Sequence, residues 1–164
     1  MVEFKKFGKY QEGIIVSLLS RSYEAYFQYD PKIEAVWKQA WGEYDKSVFE
    51  NPETVGASGF ISSIGSRIIG FASWDPRQHP CGVIGHNCVL PEFRGKGYGV
   101  AQVKEVLRIL KGRGFRKVMV TTGEHVFFQP AQKMYKTCGF EELERGFVDE
   151  HSLYGTVTYK HELE

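Results

Sequence analysis

Residues 82–99 read G-V-I-G-H-N-C-V-L-P-E-F-R-G-K-G-Y-G and contain the change of pattern that decides the fold. The run from Gly82 to Leu90 is mostly apolar and predicts a buried strand, which Pro91 ends. Beyond the glycines, apolar residues recur at the spacing of one helical face. These residues are Val100, Val103, Val106, Leu107 and Leu110. The stretch therefore predicts a strand and a helix joined by a glycine-rich loop.

The loop at residues 94–99 has the composition of an anion-binding turn. Amide N–H groups in the first turn of a helix have no partner inside the helix, and the helix dipole adds positive potential there. Glycines let the backbone approach a phosphate closely and adopt positive φ. Arg94 and Lys96 add side-chain positive charge at the same place. The loop therefore predicts a cradle for a pyrophosphate.

Three kinds of phosphate loop can be compared with this one. A Walker loop needs Ser or Thr after its lysine, but the residue after Lys96 is glycine. A dinucleotide fingerprint that starts at Gly95 needs a third glycine where Val100 stands. The pattern R-x-x-G-x-G is matched by Arg94, Gly97 and Gly99. With V-L-P at residues 89–91, it resembles the coenzyme A pyrophosphate loop of the GNAT superfamily of N-acetyltransferases; a strand–helix turn that merely uses glycines is the alternative.

A second segment strengthens this resemblance. Residues 131–140 read A-Q-K-M-Y-K-T-C-G-F and are similar to the GNAT pattern A-x-x-L-Y-x-x-x-G-F. A predicted helix and a predicted strand separate the two segments, which is the context that the family requires. One position departs from the pattern, because Phe128 stands where asparagine is common, and Gln129 is the candidate substitute.

The order of predicted elements is strand, two helices, three strands, helix, strand, helix and two strands. This order predicts an α+β protein of the α/β three-layer type, with a mixed sheet and helices on both faces. The resemblance implies a GNAT-like, mostly antiparallel central sheet with a splayed central strand pair. We expect the first helix over residues 12–29, and we expect Asp30 to cap a second helix that starts at Pro31.

Length and composition fit a single acetyltransferase domain over residues 1–164. The net charge of +1 offers no broad attraction to nucleic acid or to an acidic membrane. No apolar run approaches the roughly 20 residues of a membrane span, and the N-terminus lacks the apolar stretch of a signal peptide. We therefore expect a cytoplasmic protein without nucleic acid or membrane partners. A homodimer paired through the late strands is an open alternative.

The cysteines predict neither a disulfide framework nor a metal site. Cys81, Cys88 and Cys138 are odd in number and form no C-x-x-C motif. His79, Cys81, His86 and Cys88 include the residue types that ligate zinc. Their spacing matches no common zinc module, and part of the set falls within the predicted strand. We therefore expect small buried thiols and no metal.

The resemblance implies transfer of an acetyl group from acetyl-CoA to a primary amine of a small molecule or peptide, without a covalent enzyme intermediate. Amides of residues 95–99 would hold the pyrophosphate, and the backbone of Val89 would pair with the pantetheine arm. An amide near Asn87 or Cys88 would face the thioester oxygen. A solvated Lys96 is the alternative for that residue. The implied cofactor-binding residues are Asn87, Cys88, Val89, Leu90, Arg94, Gly95, Lys96, Gly97, Tyr98 and Gly99.

Tyr135 stands at the family's tyrosine position, which implies that it protonates the departing thiolate as the general acid. A tyrosine that only packs in the core is the alternative. The base is less defined, because the positions that carry it in some relatives match Val83 and Gly85, which cannot accept a proton. Three residues are candidates: His86, Glu124 and His125. Strand alternation directs His86 to the opposite face, and water relayed to bulk solvent is an equal alternative.

The acceptor cannot be identified from the sequence. Aromatic residues of the first two helices are candidates for a pocket wall, although a core stripe explains them equally well. They are Tyr23, Tyr26, Phe27, Tyr29, Trp37 and Trp41. Glu24, Asp30 and Glu34 could attract a cationic amine. Two other functions remain open: a non-catalytic acyl-CoA-binding sensor, and an interaction module with an unused loop.

Overall fold

The computed structural model describes residues 1–149 and 152–164. The chain divides into two compact units. Unit 1 comprises residues 1–73 and 86–99, and unit 2 comprises residues 74–85 and 100–164. The expectation of one domain over residues 1–164 stays a prediction.

The described residues form seven strands in one mixed sheet with the order β1-β2-β3-β4-β5-β7-β6. The strands are β1 (Glu3–Lys6), β2 (Gly59–Ile64), β3 (Arg67–Asp75), β4 (Cys81–Val89), β5 (Lys117–Gly123), β6 (Glu141–Asp149) and β7 (Ser152–Glu162). β1 pairs with β2, β2 with β3, β5 with β7 and β6 with β7, all antiparallel, while β4 and β5 are parallel. The predicted mixed, mostly antiparallel sheet is therefore confirmed.

The described residues also form four α-helices, one in each region where a helix is predicted. They are α1 (Ile14–Tyr23), α2 (Glu34–Glu50), α3 (Tyr98–Gly112) and α4 (Gln129–Thr137). The first helix is shorter than expected, because α1 ends at Tyr23 and a separate 3-10 turn follows at Tyr26–Gln28. Asp30 makes no side-chain capping bond, so that prediction is wrong; Pro31 begins a short 3-10 turn that leads into α2. Among the helices of residues 1–149 and 152–164, none combines the length and the apolar composition of a membrane span.

In unit 1, a buried carboxylate on α2 fixes the start of α1. Asp45 is 2% exposed and accepts hydrogen bonds from the Gly13 and Val16 amides at 2.8 and 3.0 Å. The first amides of a helix have no intrahelical partner, so Asp45 satisfies two of them from a neighbouring helix. At the other end of α1, the Ser22 carbonyl accepts a hydrogen bond from Arg94 of the glycine-rich loop.

In unit 2, β4 and β5 pair from Cys81↔Lys117 to Ile84↔Val120. β5 also pairs with β7 along its whole length. Residues on α3, β5 and β7 are fully buried and form the core of this unit: Val103, Val106, Leu110, Val118, Val157 and Tyr159. α4 follows a short turn after β5, so the end of β5 and the start of α4 lie close together in the chain.

Candidate active site

The glycine-rich loop of unit 1 uses left-handed backbone at two positions. Gly95 has φ +77° and Gly97 has φ +85°. These conformations favour glycine, because a side chain strains them. A Cβ atom at either position would meet no heavy atom within 4 Å. The loop therefore presents open backbone just before α3 begins at Tyr98, which is the arrangement that a pyrophosphate requires.

Arg94 links this loop to β4 and α1 by hydrogen bonds. Its Nε donates to the Val89 carbonyl at 3.0 Å, and its Nη2 donates to the Ser22 carbonyl at 2.6 Å. Ser22 lies in the last turn of α1, where carbonyls have no intrahelical partner. The guanidinium thus joins β4, the loop and α1, a positioning role that its place in the motif did not predict.

Lys96 and Tyr98 surround the buried ring of Phe93. The Lys96 ammonium lies 6.0 Å from the ring centroid, and the Tyr98 ring centroid lies 6.5 Å away. The Arg67 guanidinium is closer, at 4.6 Å. Lys96 is exposed, so its charge is available to an anion in the loop.

Along β4, which precedes the loop, successive backbone amides point to opposite edges of the strand. The His86 amide donates to Ser73 Oγ at 3.1 Å, and the Leu90 amide donates to the Ile69 carbonyl at 2.8 Å. Both amides therefore point toward β3. Because amide directions alternate along a strand, the Asn87 amide points to the other edge. This alternation favours Asn87 over Cys88 as the amide that faces a thioester oxygen.

The side chains of Asn87 and Cys88 have different surroundings. The side-chain nitrogen Nδ2 of Asn87 donates to the Gly99 carbonyl in the first turn of α3 at 3.5 Å. Cys88 is buried, and burial raises the pKa of its thiol to about 11. Its sulfur therefore stays protonated near neutral pH and is not an activated nucleophile.

His86, the base candidate of unit 1, lies against aromatic rings. Its ring centroid is 5.1 Å from that of Tyr44 on α2 and 5.6 Å from that of Phe71 on β3. Burial lowers the pKa of the imidazole to about 4, because the charged form loses its hydration. The ring is therefore neutral near pH 7, able to accept a proton but weakly basic.

The other candidates lie in unit 2. Tyr135 is 4% exposed, and its ring lies 5.5 Å from Phe140 and 6.0 Å from Tyr159. The Glu124 carboxylate is paired with the Arg145 guanidinium at 3.4 Å. The ring of Tyr135 thus packs in the core of unit 2, and its role as the general acid stays a prediction.

His125 has a local structural role. Its Nδ1 accepts a hydrogen bond from the Phe127 amide at 3.1 Å, at the start of the 3-10 turn Val126–Phe128. A protonated imidazole has no acceptor nitrogen, so taking a proton at Nδ1 would break this bond. Its ring also contacts Tyr154, at 4.7 Å between centroids.

The chain matches a known protein family over most of its length. The model of the acetyltransferase (GNAT) family matches residues 15–140, which is most of the chain. The chain belongs to the GNAT acetyltransferase family. No curated protein sequence matches it significantly.

Solved structures show the same GNAT fold. The PaiA N-acetyltransferase of Thermoplasma acidophilum, in complex with coenzyme A, has a TM-score of 0.76 at 13% identity, covering 99% of each chain. The IAA acetyltransferase of Bacillus cereus has a TM-score of 0.67 at 19% identity, covering 99% of this chain and 100% of its own. A Bacillus subtilis acetyltransferase in complex with CoA has a TM-score of 0.64 at 15% identity, covering 99% of this chain and 98% of its own.

GNAT membership implies acetyl transfer from acetyl-CoA, and the loop of unit 1 fits that molecule. The open backbone at Gly95 and Gly97 would take the pyrophosphate, with Lys96 as an additional charge. The roles of the individual cofactor-binding and catalytic residues stay predictions. Within the described residues, no group of three or more His, Cys, Asp or Glu side chains is placed to hold a metal ion.

The sequence interpretation missed a polar network around α4 of this GNAT chain. Phe128, which replaces the family's common asparagine, packs where a Cβ on Gly123 would lie. Gln132 instead supplies the polar contact there, and its Nε2 donates to the Gly123 carbonyl at 2.9 Å. Arg145 then contacts Gln132 at 3.3 Å. Gln132 stands three residues before Tyr135, a spacing that was visible in the sequence; Arg145 gave no comparable signal.

Proposed function

We propose that this protein transfers the acetyl group of acetyl-CoA to a primary amine of a small molecule or peptide, by direct attack in a ternary complex. The observation that carries the proposal is the loop with left-handed glycines at residues 95 and 97, directly before the 15-residue helix α3. Family membership supports the acyl transfer. The amine acceptor is what the resemblance to GNAT N-acetyltransferases implies, and the protonated thiol of Cys88 supports direct transfer without an acyl-cysteine intermediate.

The chemistry needs three protein functions. The amine must reach its neutral form, since alkylamines have pKa values near ~10. Its nitrogen then attacks the thioester carbon, and the C–S bond breaks. The Tyr135 phenol would give its proton to the departing sulfur, and the second proton of the attacking nitrogen would leave to water, which restores the phenol. The Asn87 amide would stabilise the thioester oxygen as it gains charge.

For the amine proton, His86 is the candidate in unit 1, and a water relay competes with it. Glu124 and His125 are weaker candidates, because Arg145 pairs with the first and the Phe127 amide uses Nδ1 of the second. The proposal includes a cytoplasmic location and no nucleic acid or membrane partner. A homodimer is a further open proposal.

An acetylation assay with purified protein tests the function. Acetyl-CoA is incubated with separate panels of polyamines, aminoglycosides, amino acids and peptides, and free thiol release is followed with the acetylated amine. We expect turnover with at least one class. Binding of acetyl-CoA without turnover on any amine would replace the enzyme by a sensor, and absence of both would favour the interaction module.

A further inference from the structure

Arg145 on β6 is the centre of a side-chain network in unit 2. Its Nε and Nη2 donate to Glu142 Oε1 at 3.1 and 2.6 Å. Its Nη2 also donates to Gln132 Oε1 at 3.3 Å, and its Nη1 contacts Glu124 Oε1 at 3.4 Å. A guanidinium presents its donors in a fixed fork, so these contacts hold the three partners in one arrangement.

Gln132 carries this arrangement into α4. Its side-chain oxygen accepts from Arg145, and its side-chain nitrogen donates to the Gly123 carbonyl at 2.9 Å. Gly123 is the last residue of β5. Since Gln132 is only 9% exposed, losing either bond would leave a buried amide group unsatisfied. The amide therefore joins α4 to the end of β5 and to β6.

Gln132 and Tyr135 are the buried residues of α4. They are three residues apart, so they lie on the same face of the helix. A bond that fixes Gln132 against Gly123 therefore sets the rotation and depth of the helix face that carries the phenol. Tyr159, whose ring lies 6.0 Å from that of Tyr135, is fully buried.

We propose that Arg145 is a positioning residue for Tyr135, acting through Gln132 to hold the phenol in its reactive place. This inference rests on the proposed function, in which Tyr135 is the general acid. Arg145 itself does not touch the reacting atoms. Misplacing a catalytic group by about 1 Å can cost up to ~10²-fold in rate, so a partial loss of this support has a measurable effect.

The test is a double-mutant cycle on kcat, using an amine that the wild-type protein acetylates. We expect Arg145→Ala to lower kcat roughly tenfold in the wild-type background and by less than about twofold in the Tyr135→Phe background, because its effect passes through the phenol. The dissociation constant of acetyl-CoA should stay unchanged. Gln132→Leu, which keeps the helix and the side-chain volume but also loses the bond to Gly123, should lower kcat at least as much in the wild-type background and by less than about twofold in the Tyr135→Phe background.

Arg108→Ala is the matched control. Arg108 also makes two bonds to an acidic residue three positions earlier, Glu105, at 2.9 and 2.7 Å, and it is exposed like Arg145, but these bonds stay within α3. This variant should keep the wild-type kcat in both backgrounds. Arg145→Lys should recover part of the lost rate, because lysine can keep one of the contacts.

Two results would overturn the inference, and they are distinguishable. If Arg145→Ala lowers kcat by the same factor with and without the Tyr135 hydroxyl, the positioning role is wrong while the proposed function stands. If Tyr135→Phe alone leaves kcat unchanged, the assignment of the general acid fails, and the positioning role fails with it.

Discussion

The glycine-rich loop of unit 1 and the α4 region of unit 2 are both recognised by short motifs, but they are built differently. The loop depends on backbone: Gly95 and Gly97 are left-handed, and Arg94 donates to two carbonyls. The α4 region depends on side chains, with Gln132 and Arg145 in contact. A backbone site should tolerate many side-chain changes but no change of backbone conformation. A site built from side chains should instead lose activity when single side chains are replaced.

The largest side-chain effect is expected at Tyr135. Tyr135→Phe removes the proton donor while keeping the ring that packs against Phe140 and Tyr159. General acid catalysis contributes typically ~10²–10⁴-fold, so kcat should fall by at least about 100-fold with unchanged acetyl-CoA affinity. Steady-state kinetics and calorimetry measure the two values. Tyr10→Phe, in unit 1, is the control and should keep the wild-type kcat. A wild-type kcat for Tyr135→Phe would contradict the general acid and leave Tyr135 as a packing residue.

A medium effect is expected at Arg94. Arg94→Ala loses two bonds to carbonyls, so we expect about tenfold weaker acetyl-CoA binding. If Arg94 acts by positioning the loop, Arg94→Lys should not restore binding, because lysine lacks the fork geometry. Full recovery with lysine would show that charge alone matters. Arg77→Ala, which removes an exposed arginine of unit 2, should bind as wild type.

A pH effect is expected from His86. Its folded pKa of about 4 lies below the ordinary unfolded value of about 6.5, so the unfolded chain binds the extra proton between these values. The free energy of unfolding should therefore fall as pH drops from 6.5 to 4, by up to ~1.4 kcal/mol per pH unit. Urea unfolding of wild type and His86→Gln measures the difference. Parallel pH curves for the two proteins would contradict the desolvation of His86.

The smallest effect is expected at Lys96. Its ammonium is exposed and lies 6.0 Å from the Phe93 ring, so it adds a screened charge to a site that the backbone forms. Lys96→Ala should weaken acetyl-CoA binding about two- to threefold at low salt, and the difference should disappear at high salt. A loss as large as that of Arg94→Ala would mean that the loop depends on side-chain charge after all.

This contrast also explains what the sequence could predict. Glycine spacing and apolar periodicity are local patterns, so they indicated the loop, α3 and the mixed sheet. The network of Arg145 joins residues 13 and 21 positions away, at Gln132 and Glu124, and no local pattern carries that information. The same holds for Asp45, which caps α1 from α2 across 32 positions. The predicted first helix was too long because its apolar pattern continues into the 3-10 turn at Tyr26–Gln28, which periodicity does not distinguish from an α-helix.

Calorimetric titration of acetyl-CoA into wild type, Gly97→Glu and Gly65→Glu tests the central claim most directly. Gly65 is a fair control, since it also has positive φ and open space around its Cβ position, but it lies in the β2–β3 turn. We predict that wild type and Gly65→Glu bind acetyl-CoA, and that Gly97→Glu does not, because a carboxylate would occupy the cradle. Failure of wild type to bind, or wild-type affinity in Gly97→Glu, would contradict the assignment of residues 94–99.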